Sequence, residues 1–196
     1  MGKARLFLTL GLLSASTAAQ AITLSFDPAS SEVSVGSSVS VNLVVSDLAD
    51  SAAPSLGTYD LDVLFDPARF SLAGVAFGDP VLGDQLDLFD AGSLSGYDDS
   101  VPGTLNVFEI SFDLPADLDD LQAGSFTLFT LTFDALAEGT SSLDIESLIL
   151  GDALGDPLTS AVVPGSITAT ALPEPAAATL VALGSLLLVL GRLRTS

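Results

Sequence analysis

Apolar and polar positions alternate with a period of two through most of the chain between residues 22 and 170. The stretch VSVNLVVSD places Val39, Val41, Leu43 and Val45 on one side of an extended backbone. GTYDLDVLFDP sets Tyr59, Leu61, Val63 and Phe65 against Asp60 and Asp62. A period of two is that of a strand with one buried and one wet side. Further runs with the same reading lie at 22–26, 69–77, 104–112, 125–133, 141–150 and 166–170. Tyr59 falls in the inward phase of its run.

Two runs change phase midway. Leu105 and Val107 give way to Phe108, Ile110 and Phe112, and Phe126 and Leu128 give way to Phe129, Leu131 and Phe133. A β-bulge or a strand crossing between sheets produces such a slip, and a strand buried on both sides is the alternative. Asp-Pro pairs at 27–28, 66–67, 79–80 and 156–157 punctuate the runs as turns. No long stretch carries the helical period of 3.6, so the pattern predicts an all-β sandwich. The segment from Gly78 to Gly103 breaks the alternation and reads as a long connection holding one or two short strands.

The two extremities follow a different pattern. Residues 1–21 combine Lys3 and Arg5, an apolar stretch over 6–13, and small residues at Ala19 and Ala21 around Gln20. That is the arrangement of a secretory signal peptide, with cleavage expected after Ala21. At the other end, 16 uncharged residues at 176–191 follow Pro173-Glu174-Pro175 and precede Arg192 and Arg194. As a helix this run reaches roughly 24 Å, short of a hydrocarbon core of about 30 Å. It reads as a short transmembrane helix, with the two prolines closing it off from the domain and the arginines holding its far end on the cytoplasmic side. Four of the five cations sit at these extremities, which predicts that the acidic middle is exported.

Between the extremities, residues 22–172 hold twenty-four acids against the single cation Arg69. Such a surface repels nucleic acid and anionic lipid, which excludes nucleic acid as a partner. The chain has no Cys and no His. Disulfides are therefore absent, and catalysis would have to be built from carboxylates alone.

The tail, Leu172-Pro173-Glu174-Pro175 followed by a short apolar run and a basic end, resembles the PEP-CTERM sorting signal of Gram-negative bacteria. That resemblance implies processing by an exosortase and delivery to the cell surface or the extracellular, biofilm matrix, with a transient membrane anchor. The segments 57–67 and 124–140, together with VSVGSSVSVNLVVSD and VVPGSITAT, are similar to the cohesin family in the same order along the chain. The resemblance implies a jelly-roll β-sandwich of about nine strands over 22–171. It also implies a non-catalytic module that binds a dockerin-like protein, while the wider superfamily binds polysaccharide. The organisation is thus a signal peptide (1–21), a cohesin-like sandwich (22–171) and a sorting segment (172–196). An acidic, calcium-bridged structural component of exopolysaccharide is the second reading, and a carboxylate glycoside hydrolase a distant third.

The candidate metal ligands are acids in loop-rich sequence. Asp84, Asp87 and Asp90 lie in one segment, with Asp98 and Asp99 beyond it, and Asp117, Asp119 and Asp120 cluster in PADLDD. Calcium takes six to eight oxygens from flexible loops, so calcium is the cofactor these residues would suit, and a solvated acidic loop with no bound ion is the alternative. Asp90-Ala91-Gly92-Ser93 has one aspartate where an aspartic-protease corner needs a pair, and reads as a turn. No catalytic residue is assigned. With no Trp and two Tyr, the chain lacks the aromatic platform of a cellulose-stacking surface.

Overall fold

The computed structural model describes residues 21–171, which form two β-sheets packed face to face. The strands are β1 (Ile22–Asp27), β2 (Ser30–Ser34), β3 (Ser38–Ser46), β4 (Leu56–Leu64), β5 (Phe70–Phe77), β6 (Ser93–Val101), β7 (Thr104–Ser111), β8 (Phe126–Ala135), β9 (Gly139–Asp152), β10 (Ser160–Val163) and β11 (Gly165–Thr170). One short helix, α1 (Pro115–Leu121), lies between β7 and β8. One sheet has the order β10-β1-β3-β8-β5 and the other β2-β11-β9-β4-β7-β6. Most pairs are antiparallel, and the exceptions are β10 on β1 and β2 on β11.

The alternating runs become strands whose apolar phase points between the sheets. Val41, Leu43 and Val45 from β3 meet Tyr59, Leu61 and Val63 from β4 in one core, together with Leu105, Val107, Phe129, Leu131, Phe133 and Ile167. Fully burying such a side chain stabilises the fold by about 1.5–3 kcal/mol. Two tilted aromatic contacts cross the core: Tyr59 on Phe129 at 5.9 Å and Phe65 on Phe133 at 5.2 Å.

The predicted sandwich is present, with eleven strands where about nine were expected. Part of the difference comes from the first run. The chain turns at Asp27-Pro28, and β2 then continues in the other sheet. Sequence reasoning did not single out β2 and β10, because strands of five and four residues at sheet edges need little apolar patterning.

The two phase changes have different origins. In β8 the register with β3 jumps between Leu43↔Phe129 and Val44↔Thr127, so Leu128 is the extra residue of a bulge. In β7 the inward phase never switches: Leu105, Val107 and Glu109 are all buried. Phe108 and Ile110 occupy the outer phase of an unbroken strand.

Candidate functional site

That outer phase builds an apolar surface on the six-stranded sheet. Across the ladder, Ile149 of β9, Asp60 of β4, Phe108 of β7 and Gly96 of β6 lie in one row. The next row holds Gly151, Thr58, Ile110 and Leu94. Ile149 is 63% exposed, Leu94 51% and Ile110 42%, while Phe112, just past the end of β7, is 63% exposed. The Phe108 ring lies over Gly96, where an added Cβ would come within 2.9 Å of it. Glycine at 96 thus lets the ring lie flat against the sheet instead of projecting from it. A shallow pocket of about 200 Å³ adjoins this face, lined by Thr58, Ile110, Asp113, Leu118 and Leu154. Single exposed apolar residues are ordinary, but a contiguous group rimmed by polar ones marks an interaction surface.

The rim is acidic. Asn106 donates from its amide to Asp60 (2.7 Å), which stands between Ile149 and Phe108 in the first row, and to Asp62 (2.9 Å) beyond it, holding the two carboxylates side by side. Asp98 stands across the ladder from Asn106 on β6. Its carboxyl is held low by the Ser100 backbone N–H, which donates to it at 2.9 Å.

Directly behind the apolar rows, Glu109 points into the protein and is 1% exposed. Tyr59 Oη donates to Glu109 Oε2 at 2.9 Å and Ser93 Oγ donates to Oε1 at 2.7 Å. Burial pushes the Glu109 carboxyl up to about 7, against the opposing bond from Ser93, and the neighbouring Asp84 carboxylate adds to the rise. Burial likewise raises the Tyr59 hydroxyl far beyond its ordinary value. The one cation among the described residues, Arg69, pairs with Asp66 elsewhere, so burial favours the neutral, protonated form of the site. Sequence reasoning missed Glu109. The available signal was a carboxylate in the inward phase of a strand, at the place where the next core residue was due.

The predicted metal ligands are dispersed. Asp84 lies beside Glu109 and accepts from Leu86 N–H at 2.9 Å. Asp87 accepts from Gly92 N–H at 2.9 Å, and Asp90 occupies a left-handed turn position with φ 52°. Asp98 and Asp99 lie on β6. In the second cluster, Asp119 accepts from the Ser55 hydroxyl at 2.7 Å, and Asp117, Asp119 and Asp120 all belong to α1. Most of these bonds are Asx turns and loop pins. Among the described residues no three acidic side chains gather into a group suited to a metal ion. Ala21 is the first described residue, whereas Ala19, Pro173, Glu174, Pro175, Arg192 and Arg194 lie outside the described residues.

A larger cleft of about 600 Å³ opens beside the start of β1, lined by Ile22, Asp47, Leu48, Pro54, Pro157 and Leu158. Among the described residues Asp47 is the titratable group in its lining, and its carboxylate accepts the Thr23 hydroxyl at 2.7 Å. The outer face of the five-stranded sheet differs again. There the side chains pair with one another: Ser40 with Thr132 (3.0 Å), Thr130 with Asn42 (2.7 Å) and Ser38 with Asp134 (2.6 Å).

No protein-family model matches the chain. No curated protein matches it either. Solved structures do. The sixth cohesin from scaffoldin B of Acetivibrio cellulolyticus, solved in complex with a Cel5 dockerin, superposes with a TM-score of 0.60 at 17% identity, covering 77% of this chain and 100% of that one. The cohesin CaCohA2 from Clostridium acetobutylicum gives 0.59 at 19% identity, over 79% and 94%. A non-cellulosomal cohesin from the archaeon Archaeoglobus fulgidus gives 0.58 at 17% identity, over 77% and 92%. At these identities the likeness is one of fold. Residues 21–171 adopt the cohesin fold.

Proposed function

We propose that this chain is an exported, non-catalytic binding module that docks a small protein partner on the outer face of β9, β4, β7 and β6. The observation that carries the reading is the exposed apolar group Leu94, Ile110 and Ile149 around the Phe108 ring, on a sheet whose opposite face is the core. The Asp60, Asp62 and Asp98 rim selects a partner with an apolar patch ringed by lysine or arginine. A dockerin-like module is the partner class, supported by the dockerin bound to the Acetivibrio cohesin of the same fold. Glycoside cleavage needs a pair of carboxyl groups, and among the described residues Asp47 is the carboxylate lining the larger cleft. Delivery falls to the extremities. The signal segment exports the domain, and the tail from Pro173 to Arg194 holds it at the membrane until an exosortase processes it, leaving it at the surface or in the matrix.

The test is titration of the domain with a panel of dockerin modules, in wild-type form and as Ile110→Asp with Ile149→Asp. Binding of a dockerin by the wild type, lost in the variant while its melting temperature holds, supports the reading. Binding that survives the variant, or retention by exopolysaccharide with no protein bound, contradicts it.

A further inference from the structure

The two ends of the sandwich differ in loop length and in charge. At one end the connections 35–37, 65–69, 102–103 and 136–138 are two to five residues long. They hold two acids, Asp66 and Glu138, and the domain's one cation, Arg69, which pairs with Asp66. At the other end the connections 47–55, 78–92, 112–125 and 153–159 hold eleven acids and no cation. Exposed apolar residues stand at both ends, with Val81, Leu114 and Leu154 among them at the long-loop end, so they do not by themselves distinguish the two. At the short-loop end they form the tips of tight turns. Val101 is 60% exposed and Leu136 52%, with Pro102 and Ala137 exposed beside them.

The chain leaves the domain at this same end. Thr170, the last residue of β11, accepts the Val35 N–H at 2.9 Å, next to the 35–37 turn. Beyond Ala171 only residues 172–175 precede the apolar run at 176–191. Four residues reach about 14 Å when fully extended. Ile22, by contrast, starts at the long-loop end, where its N–H donates to Thr159 O at 3.0 Å.

We propose that the short-loop end is a membrane-facing surface. While the tail holds the chain in the bilayer, Val101, Pro102, Leu136 and Ala137 rest at the lipid headgroups, and the apolar sheet face stands upright beside the membrane. Charge and tether agree on this orientation. An anionic headgroup layer repels the end whose connections hold eleven carboxylates more strongly than the end whose connections hold Asp66, Glu138 and Arg69, with Asp98, Asp99 and Asp134 on the bordering strands. Strands of nine residues keep the far end about 30 Å away. The docking face runs along the strands, so a partner reaches it from the side without displacing lipid. Since Ile22 lies at the far end, an uncleaved signal segment would pull the opposite pole toward the membrane. Cleavage after Ala21 is what frees the domain to stand.

This placement rests on the membrane-tail reading above, and the experiment separates the two. The chain contains no cysteine, so a single introduced thiol carries a unique label. The exported chain, purified from membranes with its tail intact and its start at Ile22 verified by mass, is labelled with bimane in Leu136→Cys, Val101→Cys and Leu154→Cys variants. Leu154 is 77% exposed in the 153–159 connection at the far end. Each variant is reconstituted into phosphatidylethanolamine–phosphatidylglycerol vesicles containing a headgroup-level spin-labelled lipid. Quenching at 136 and 101 at least threefold stronger than at 154 is the expected result. Equal quenching at all three sites, or none, in chains that float with the vesicles overturns the orientation alone. A chain that does not float overturns the tail reading and the orientation with it.

Discussion

On the outer face of the five-stranded sheet, Ser38, Ser40, Asn42, Thr130 and Thr132 bond to one another or to Asp134. On the outer face of the six-stranded sheet, Phe108, Ile110, Leu94 and Ile149 stand around Asp60 and Thr58 of the central strand, and much of their apolar surface is open to water. Both faces arise from strands with the same two-residue period and cover the same core. A hydroxyl face satisfies its own polar groups and gains little by covering. An apolar face gains about 25 cal/mol for each Å² that a partner removes from water. The comparison teaches that the inward phase determines the fold, and the outward phase determines which sheet has a use for a partner.

The largest expected effect comes from reversing the character of the second face. Ile110→Asp combined with Phe112→Asp should weaken partner binding at least a hundredfold, about 2.8 kcal/mol by the tenfold-per-1.4 kcal/mol conversion, measured by calorimetric titration. The matched change on the first face, Ser40→Asp with Thr132→Asp, should leave binding within twofold. If the first-face pair weakens binding as much as the second, the contrast between the faces fails.

Next in size is the buried acid behind the second face. Glu109 rises from an ordinary value of 4.5 to about 7 in the folded domain, so the folded state holds a proton that the unfolded chain releases. Its stabilising contribution is complete below pH 4.5 and is lost as pH rises through about 7. The loss amounts to about 3 kcal/mol, at 1.36 kcal/mol per unit. Glu109→Gln keeps the shape and removes the titration. Denaturant unfolding at pH 5 and pH 8 should show the wild type losing most of that amount, and the variant none of it. Parallel pH profiles for the two chains would mean that Glu109 stays charged at both pH values.

Two smaller effects follow. An acidic rim meeting a basic partner is screened by salt, so affinity should fall about tenfold between 50 and 500 mM sodium chloride, read by the same titration. A purely apolar contact would hold or strengthen. Last, Ser40→Ala with Thr132→Ala removes one cross-strand hydroxyl pair and should cost about 0.5–1 kcal/mol of stability, with binding unchanged.

Much of this was legible in the sequence because burial writes a period of two into β3 and β4. Tyr59 and Val41 fall on the inner face as read. The phase changes were legible as anomalies but not as kinds. The bulge at Leu128 and the two-sided strand β7 produce the same slip in the pattern, and only the strand register distinguishes them. Within 78–103, where one or two short strands were expected, the structure has the nine-residue β6 at the sheet edge. The helix α1 escaped because seven residues beginning at a proline cannot display a helical period, and PADLDD reads equally well as an acidic loop. The acids of 78–92 suggested a metal by their number. Several accept backbone N–H groups and pin the connection: Asp79 from Val81, Leu82 and Thr127, and Asp87 from Gly92. A carboxylate's partner is fixed by where the backbone turns, which composition does not encode.

The most direct measurement is a backbone-amide chemical-shift map of the domain titrated with a bound dockerin module. The account predicts that perturbations concentrate in β4, β6, β7 and β9 around Gly96, Ile110 and Ile149, while the amides of β3 and β8 near Ser40 and Thr132 stay still. Perturbations centred on β3 and β8, with the apolar face unmoved, would contradict it.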